Sequence, residues 1–175
     1  EDRSSCILFG DGAGAAVVQA EEGELYPSVA GSDGTMGHVL ACESRVQNDW
    51  QQKEADRKTY IDMDGTAVFK FAVRKMPEMA KSLMTQMHCT EADIDWFITH
   101  QANERIIEAI AKRLKSDIAK FPMNIAECGN TSSASIPILL DEMNRSGQLK
   151  DGQKIIMAGF GAGLSWGAVY MEWHA

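Results

Sequence analysis

The stretch that decides the fold is Trp96-Phe97-Ile98-Thr99-His100-Gln101-Ala102-Asn103, which passes from an apolar run into a polar turn. Residues 96–98 have the length and composition of a short, fully buried strand. Beyond the turn, isoleucine and leucine recur at helical spacing, which predicts a helix over residues 103–115 with an apolar inner face. A strand that leads directly into a helix is the unit from which α/β sheets are built.

Two further helices are predicted on either side of this unit. The first runs from about residue 66 to residue 88, begins at a cap supplied by Asp62 or Asp64, and is kinked or split at Pro77. The second covers residues 135–146 and ends before Gly147, a residue type that favours the position after a helix.

Strands are predicted where short apolar runs lie between polar or glycine-rich segments: residues 15–20, 25–30, 125–126, 154–158 and 168–173. The first two should pair antiparallel, and the last two, joined by a glycine segment at 159–163, can pair the same way. Residues 31–58 are polar and irregular, which indicates a surface excursion. The alternation of strands and helices predicts a mostly parallel sheet with helices on both faces.

Composition narrows the class of protein. The 175 residues, 45% of them hydrophobic, are enough for one well-buried domain, and the first residue, Glu1, indicates a processed chain or an excised piece. A net charge of −8 argues against nucleic acid and anionic membranes as partners. No apolar run is long enough to span a bilayer, and the four cysteines are scattered without CxxC spacing. We therefore expect a cytoplasmic protein with no metal site.

Three polar or glycine-rich segments follow predicted strands: His100, Asn130 and the glycine segment at 159–163. Functional groups of open α/β sheets gather beyond the carboxyl ends of strands, so these three segments should share one edge. An imidazole and a carboxamide that converge on one carbonyl oxygen can stabilise an oxyanion or enolate. For His100 taken alone, spacing favours a hydrogen-bonded structural histidine; the three segments together favour a site.

The chain contains no convincing nucleophile. Cys128 lies two residues before Asn130, but it precedes the turn and has neither a helix N-terminus nor a cationic neighbour to activate it. Cys6, Cys42 and Cys89 are interpreted as buried or incidental. A different signal is the segment 104–120, where five basic and three acidic side chains leave a net charge of +2. This basic segment is either a solvated helix face or a docking surface.

Four motifs occur in an order that resembles a known enzyme family: FGDGAGA at residues 9–15, HQANERI at 100–106, GNTS at 129–132 and GFGAGLSWG at 159–167. Together they resemble β-ketoacyl-acyl carrier protein synthase III, a condensing enzyme of the thiolase superfamily that initiates type II fatty-acid synthesis. The resemblance covers essentially the whole chain, residues 1–175, but matches only the C-terminal half of such an enzyme.

The resemblance implies a thiolase-like half, a five-stranded mixed sheet with helices on both faces. It also implies that the nucleophilic cysteine lies in a missing N-terminal half and that the protein is a homodimer. By motif, His100 and Asn130 would hold the thioester oxygen of malonyl-acyl carrier protein and stabilise the enolate formed as carbon dioxide leaves. The enolate would then attack an acyl group taken from acyl-CoA. No cofactor is implied.

The resemblance also assigns binding residues. The loop of Gly161, Ala162 and Gly163 would lie beside the acyl site, with the Ala162 amide as an oxyanion donor. Substrate would contact four further residues, of which Thr66 stands where relatives commonly carry asparagine: Asn103, Thr66, Gly65 and Phe160. Acyl carrier protein would dock on Arg105, Lys112 and Arg113, which gives the basic segment a function.

Two alternatives remain at this point. One is a related thiolase-superfamily acyltransferase, such as a hydroxymethylglutaryl-CoA synthase or an alkylquinolone-type synthase. The other is a noncatalytic module that binds acyl carrier protein or CoA. In either case we expect the chain alone to be inactive in condensation, because it supplies no acyl acceptor.

Overall fold

A computed structural model describes residues 5–19, 22–42 and 60–174. In chain order, the strands of this part are β1 (Ser28–Ser32), β2 (Leu40–Cys42), β3 (Ile61–Met63), β4 (Trp96–Thr99), β5 (Lys154–Gly161) and β6 (Ser165–Glu172). The α-helices are α1 (Gly65–Gln86), α2 (Glu104–Leu114), α3 (Ile125–Cys128) and α4 (Ser135–Arg145). Short 3₁₀ helices of three to six residues lie between them.

The main sheet of the described residues is mixed and has four strands in the order β1-β6-β5-β4. Strands β4 and β5 are parallel, whereas β5–β6 and β6–β1 are antiparallel. The mixed sheet that the resemblance implies is therefore confirmed, and the expectation of a mostly parallel sheet was wrong. The described residues contribute four strands to it, where five were expected. Strands β2 and β3 form a separate antiparallel pair. The part of the predicted surface excursion between residues 43 and 59 lies outside the described residues.

Helices cover both faces of the sheet, as predicted. On one face, α1 and α2 pack against Phe97 and Ile156. On the other, α4 packs against Ile98 and Ile155. Successive residues of β4 and β5 thus point into opposite cores, because side chains alternate across a strand. This arrangement buries the middle of both strands and places their carboxyl ends at one edge of the sheet.

Helix α1 begins at Asp64, whose Oδ1 accepts hydrogen bonds from the backbone amides of Thr66 and Ala67 at 3.0 Å. The helix then continues through Pro77 to Gln86, so the expected split was wrong. Proline inside a helix costs about 3 kcal/mol. Here the buried side chains on both sides of Pro77, such as Met76 and Leu83, outweigh that cost by packing into one core.

Two predicted strands do not form in the part of the chain that the structure describes. Residues 15–19 are irregular, and Val17 and Val18 are 99% and 91% exposed. The segment predicted over 25–30 instead forms β1 with shifted bounds and pairs with β6. Residues 125–126 begin the short helix α3 rather than a strand, because an apolar pair alone does not separate the two conformations.

None of the helices in the described part of the chain is both long and apolar enough to cross a membrane.

Candidate active site

His100 lies where the sequence predicted it, directly after β4. Its backbone N–H donates to the carbonyl of Ala158 in β5 at 2.9 Å, which extends the parallel pairing by one residue. Because β4 and β5 run in the same direction, His100 and the end of β5 meet at the same edge of the sheet.

The glycine segment differs from its prediction as a loop. Residues 159–161 belong to β5 and pair with residues 165–167 of β6. The true turn is thus confined to residues 162–164, where Ser165 Oγ donates to the carbonyl of Ala162 at 3.1 Å. The regular pairing carries Phe160 and Gly161 past the edge of the neighbouring strand β4 and into the site.

Asn130 reaches the site by a different route from the predicted one. It does not follow a strand; it forms an isolated parallel bridge with Phe9 near the start of the chain. The Asn130 N–H donates to Leu8 O at 2.9 Å, and the Gly10 N–H donates to Asn130 O at 3.0 Å. Only glycine fits at residue 10, because a Cβ there would lie 1.9 Å from Cys128 O. Gly129, with φ of +67°, turns the chain into this bridge.

These segments enclose one cavity of about 1000 Å³. One wall holds His100, Asn130 and the β5 residues Phe160 and Gly161. The opposite wall is apolar and comes from the β2–β3 pair and the beginning of α1, with side chains such as Leu40, Met63, Val68 and Phe69. An apolar pocket with a few polar groups on one side is the usual form of a small-molecule site.

His100 is held in a neutral state. Its Nδ1 lies 2.8 Å from Ser135 Oγ, and its ring meets the Phe160 ring edge-on with centroids 5.3 Å apart. Burial lowers the pKa of His100 to about 4. Burial of the ring disfavours its charged form, and none of the described residues places a carboxylate beside it to offset that effect. At neutral pH the ring therefore offers one N–H and one lone pair rather than a positive charge.

The side chain of Asn130 is also oriented. Its Oδ1 accepts a hydrogen bond from the Ser132 N–H at 2.9 Å. Since the carboxamide oxygen is engaged in this turn, the Nδ2 group points the other way and keeps its two donors. Both Asn130 and Ser132 line the cavity. The site thus combines a neutral imidazole and a carboxamide, which are suited to an oxygen that gains negative charge.

The predicted substrate-binding residues are distributed unevenly around the cavity. Asn103, Gly65, Phe160, Gly161 and Ala162 line it. Asn103 also caps α2, with Oδ1 accepting the Arg105 N–H at 2.9 Å. Two members of the predicted set are not among the lining residues. Thr66 is exposed in the first turn of α1, and Gly163 is exposed in the β5–β6 turn.

The basic segment divides into two parts. Arg105, Lys112 and Arg113 are exposed on α2, and Arg105 is the one charged side chain among the described residues of the cavity wall. Lys120 instead forms an ion pair with Glu91 at 3.2 Å. Positions 105 and 112 are two turns apart and so lie on the same face of the helix. Arg105 places the cavity end of this exposed face against the pocket, while Lys112 and Arg113 are not among the lining residues.

The cysteines differ in their relation to the cavity. Cys128 is not among the lining residues, and burial together with Glu142 and Glu127 raises the pKa of its thiol. This is the opposite of the environment that activates a nucleophile. Cys6 and Cys42 are exposed, so neither is a buried core cysteine, and Cys42 on β2 also lines the cavity.

Two further residues were missed by sequence reasoning. Ser135, at the first position of α4, contacts His100 across 35 residues of chain. Gln101 is fully buried, and its Nε2 donates to Thr99 O at 2.9 Å while Oε1 accepts the Asn124 N–H at 3.3 Å. The sequence signal that could have identified them is a polar residue at a position where the apolar pattern of the neighbouring helix or strand predicts burial.

Comparison with known families gives two matches that together span most of the chain. The model of 3-oxoacyl-[acyl-carrier-protein] synthase III C terminal matches residues 84–173. The model of 3-oxoacyl-[acyl-carrier-protein] synthase III matches residues 1–34. The first match contains His100, Asn130 and the β5–β6 pair, and the second contains the Phe9 segment that holds Asn130.

Individual relatives agree with these matches. The chain is 45% identical to a beta-ketoacyl-[acyl-carrier-protein] synthase III of Clostridium novyi, over 99% of this chain and 54% of the relative. The crystal structure of 3-oxoacyl-[acyl-carrier-protein] synthase III from Aquifex aeolicus is similar with a TM-score of 0.86 and 39% identity, covering 99% of this chain and 53% of that one. The priming β-ketosynthase of the R1128 polyketide pathway gives a TM-score of 0.82 at 34% identity, over 98% and 52% of the two chains. The chain spans about half the length of the curated relatives it matches.

Proposed function

Because the chain belongs to the 3-oxoacyl-[acyl-carrier-protein] synthase III family, we propose that it is the C-terminal catalytic half of a β-ketoacyl-acyl carrier protein synthase III. The whole enzyme condenses an acyl-CoA starter with malonyl-acyl carrier protein. The observation that carries this proposal is the pair of neutral donors, His100 and Asn130, on the wall of one apolar cavity. Two uncharged donors on the wall of a mainly apolar pocket stabilise negative charge that develops on an oxygen during a reaction.

The proposed step is decarboxylation of a malonyl thioester. The bond between the α-carbon and the carboxylate breaks, carbon dioxide leaves, and the electron pair forms an enolate whose oxygen carries the negative charge. His100 donates to that oxygen from its N–H, and Asn130 donates from Nδ2. The α-carbon of the enolate then attacks an acyl thioester, forms the new carbon–carbon bond and releases the thiolate that held the acyl group.

The acyl thioester belongs to the remainder of the enzyme. Cys128 lies off the cavity with a raised thiol pKa, so we assign the acyl acceptor to a cysteine of an N-terminal half that completes the fold. The nearly complete exposure of Val17, Val18 and Leu25 supports this, since apolar residues of this kind are usually covered. Completed subunits would then pair as a symmetric dimer. On this proposal the chain alone decarboxylates but does not condense.

Arg105, Lys112 and Arg113 supply the docking surface for acyl carrier protein. The carrier is an acidic protein that delivers its malonyl group on a phosphopantetheine arm. Exposed cations that line the route to the cavity attract such a partner, even though the chain as a whole has a net charge of −8. Asn103 at the start of α2 and Phe160 at the end of β5 then contact the arm and the acyl group within the cavity.

The test separates chemistry from binding. The chain is incubated with malonyl-acyl carrier protein, and carbon dioxide release is measured against buffer. His100→Ala and Asn130→Ala should each lower the rate by roughly 100- to 1,000-fold, the usual cost of one oxyanion donor. His174→Ala, which removes an exposed imidazole bonded to Asp151, is the matched control and should leave the rate unchanged.

A second arm tests condensation. The chain is assembled with the N-terminal portion of the Clostridium novyi relative, and acetyl-CoA is added. Mass spectrometry should detect the acyl-enzyme in both variants, while the ketoacyl product is lost. Binding of acyl carrier protein with no decarboxylation in the native protein would favour the noncatalytic module. Equal loss of acylation in both variants would show that the roles of His100 and Asn130 are misassigned.

A further inference from the structure

Ser135 is the buried neighbour that sets the hydrogen-bonding state of His100. It is 2% exposed at the first position of α4. Its Oγ lies 2.8 Å from His100 Nδ1 and 3.3 Å from the backbone nitrogen of Gln101. Among the described residues these are the two hydrogen-bond partners of the hydroxyl. The hydroxyl therefore lies between a backbone N–H and a ring nitrogen. In a neutral imidazole either of the two ring nitrogens can carry the proton.

The number of hydrogens available decides whether Nδ1 or Nε2 of His100 carries the ring proton. A backbone N–H can only donate, so the Gln101 amide donates to Ser135 Oγ. A serine hydroxyl has one hydrogen to give, and the partner left for that hydrogen is Nδ1 of His100. If Nδ1 carried the proton instead, Oγ would accept twice and its own hydrogen would be buried without an acceptor in the described part of the chain. That arrangement forfeits one hydrogen bond.

We propose that Ser135 is a positioning residue that fixes the tautomer of His100, keeping Nδ1 unprotonated so that the ring presents Nε2–H to the cavity. The catalytic consequence rests on the proposed function, because the enolate oxygen needs a donor at that nitrogen. The tautomer itself is a property of this chain and requires no substrate.

Gln101 holds the geometry that makes this possible. Its side chain donates to Thr99 O at 2.9 Å and to Pro122 O at 3.4 Å, and accepts the Asn124 N–H at 3.3 Å. These bonds tie the turn after β4 to residues 122–124. The Gln101 backbone N–H is thereby aimed at Ser135 rather than at solvent. Since burial keeps His100 neutral at pH 7, the ring has two tautomers to choose between, and the hydroxyl selects one.

The decisive measurement is nitrogen-15 NMR of the histidine rings in the native chain at pH 7, with His100 assigned by comparison with His100→Gln. We expect an unprotonated Nδ1 and a protonated Nε2. A protonated Nδ1 in the native chain would overturn the proposal without any Ser135 variant. In Ser135→Ala the ring should become a mixture of tautomers, whereas Ser135→Thr, which keeps a hydroxyl, should retain the native pattern.

Ser146→Ala is the control, because it removes a hydroxyl at the other end of α4 that donates to Met143 O at 3.1 Å. It should leave the His100 signals unchanged. Decarboxylation supplies a second readout: Ser135→Ala should lower the turnover number roughly three- to tenfold with little change in KM, the equivalent of one neutral hydrogen bond. The native tautomer with no decarboxylation would refute the proposed function alone. Unchanged His100 signals in Ser135→Ala would refute the inference alone.

Discussion

The two donors of the site are placed by different kinds of contact. His100 stands at the end of a buried strand, and its backbone bonds to the adjacent parallel strand β5. Asn130 stands after a four-residue helix and is held by Phe9, about 120 residues earlier in the chain. The comparison teaches that half of this site is part of the sheet, whereas the other half depends on an N-terminal segment that is joined to Asn130 by an isolated bridge outside the sheet.

The largest expected effect is a loss of stability when the turn that follows β4 on the His100 side of the site is disrupted. Gln101→Ala removes a fully buried side chain and leaves the Asn124 N–H and two carbonyls without partners. Unpaired buried groups and the cavity should lower the free energy of unfolding by about 3 to 4 kcal/mol. Urea unfolding measures the loss. The control is Gln148→Ala, which removes an exposed glutamine that donates to Ser146 Oγ and should change the free energy of unfolding by less than about 0.5 kcal/mol. A similar loss in both variants would contradict the role of the buried Gln101 hydrogen bonds.

A second prediction distinguishes the two donors by pH. The His100 ring has a pKa of about 4 in the folded chain and the ordinary 6.5 when unfolded. Between pH 4 and pH 6.5 the His100 ring is therefore protonated in the unfolded state but neutral in the folded state. The stabilising contribution is therefore complete above pH 6.5 and is lost as the pH falls to 4, by up to about 3 kcal/mol.

The measurement is the free energy of unfolding from pH 8 to pH 4 in the native chain and three variants. His100→Gln should flatten the slope between pH 6.5 and 4. Asn130→Ala should keep the native slope because a carboxamide does not titrate, and His174→Gln is the exposed-histidine control. An unchanged slope in His100→Gln would mean that the ring is not held neutral by burial.

Gly10→Ala tests the Asn130 side. The added Cβ would lie 1.9 Å from Cys128 O, a backbone atom that cannot move aside cheaply. We expect a loss of about 2 kcal/mol in unfolding free energy and a fall in decarboxylation, because the bridge that aims Asn130 is disturbed. The His100 tautomer should remain native by NMR. Gly23→Ala, which meets nothing within 4 Å, is the control. A disturbed His100 signal in Gly10→Ala would show that the two sides are coupled.

The smallest expected effect concerns the route into the cavity. Arg105→Glu should weaken acyl carrier protein binding roughly three- to tenfold at low salt, and the difference should shrink at high salt as the charges are screened. Titration at two salt concentrations measures it. Lys81→Glu, an exposed lysine on α1, gives the same charge change away from the mouth and should have less effect. Equal affinities for Arg105→Glu and the native chain would return α2 to an ordinary solvated face.

The sequence by itself determined the positions of the three longer helices α1, α2 and α4, the strand–turn–helix around His100, and the family. Helix α2 agrees with its prediction because its apolar spacing and its cap at Asn103 lie within a few residues of one another. The same is true of the end of α4 at Gly147, whose φ is +69°. The order of four motifs was enough to identify the synthase III family, since each motif is a local pattern.

Tertiary structure alone decided which segments meet. Val17 and Val18 have the residue types of a strand, yet a strand needs a partner, and none is present among the described residues. Pro77 stays inside α1 because packing of the helix into the core on both sides of it outweighs the cost of a proline within a helix. The sequence shows that cost but not the packing. Ser135 contacts His100 from the start of α4, and the bridge to Phe9 brings Asn130 to the same cavity; both are contacts between distant parts of the chain. Local sequence patterns carry no information about such contacts. The residues of the site could therefore be predicted from the sequence, but the hydrogen bonds that orient their side chains could not.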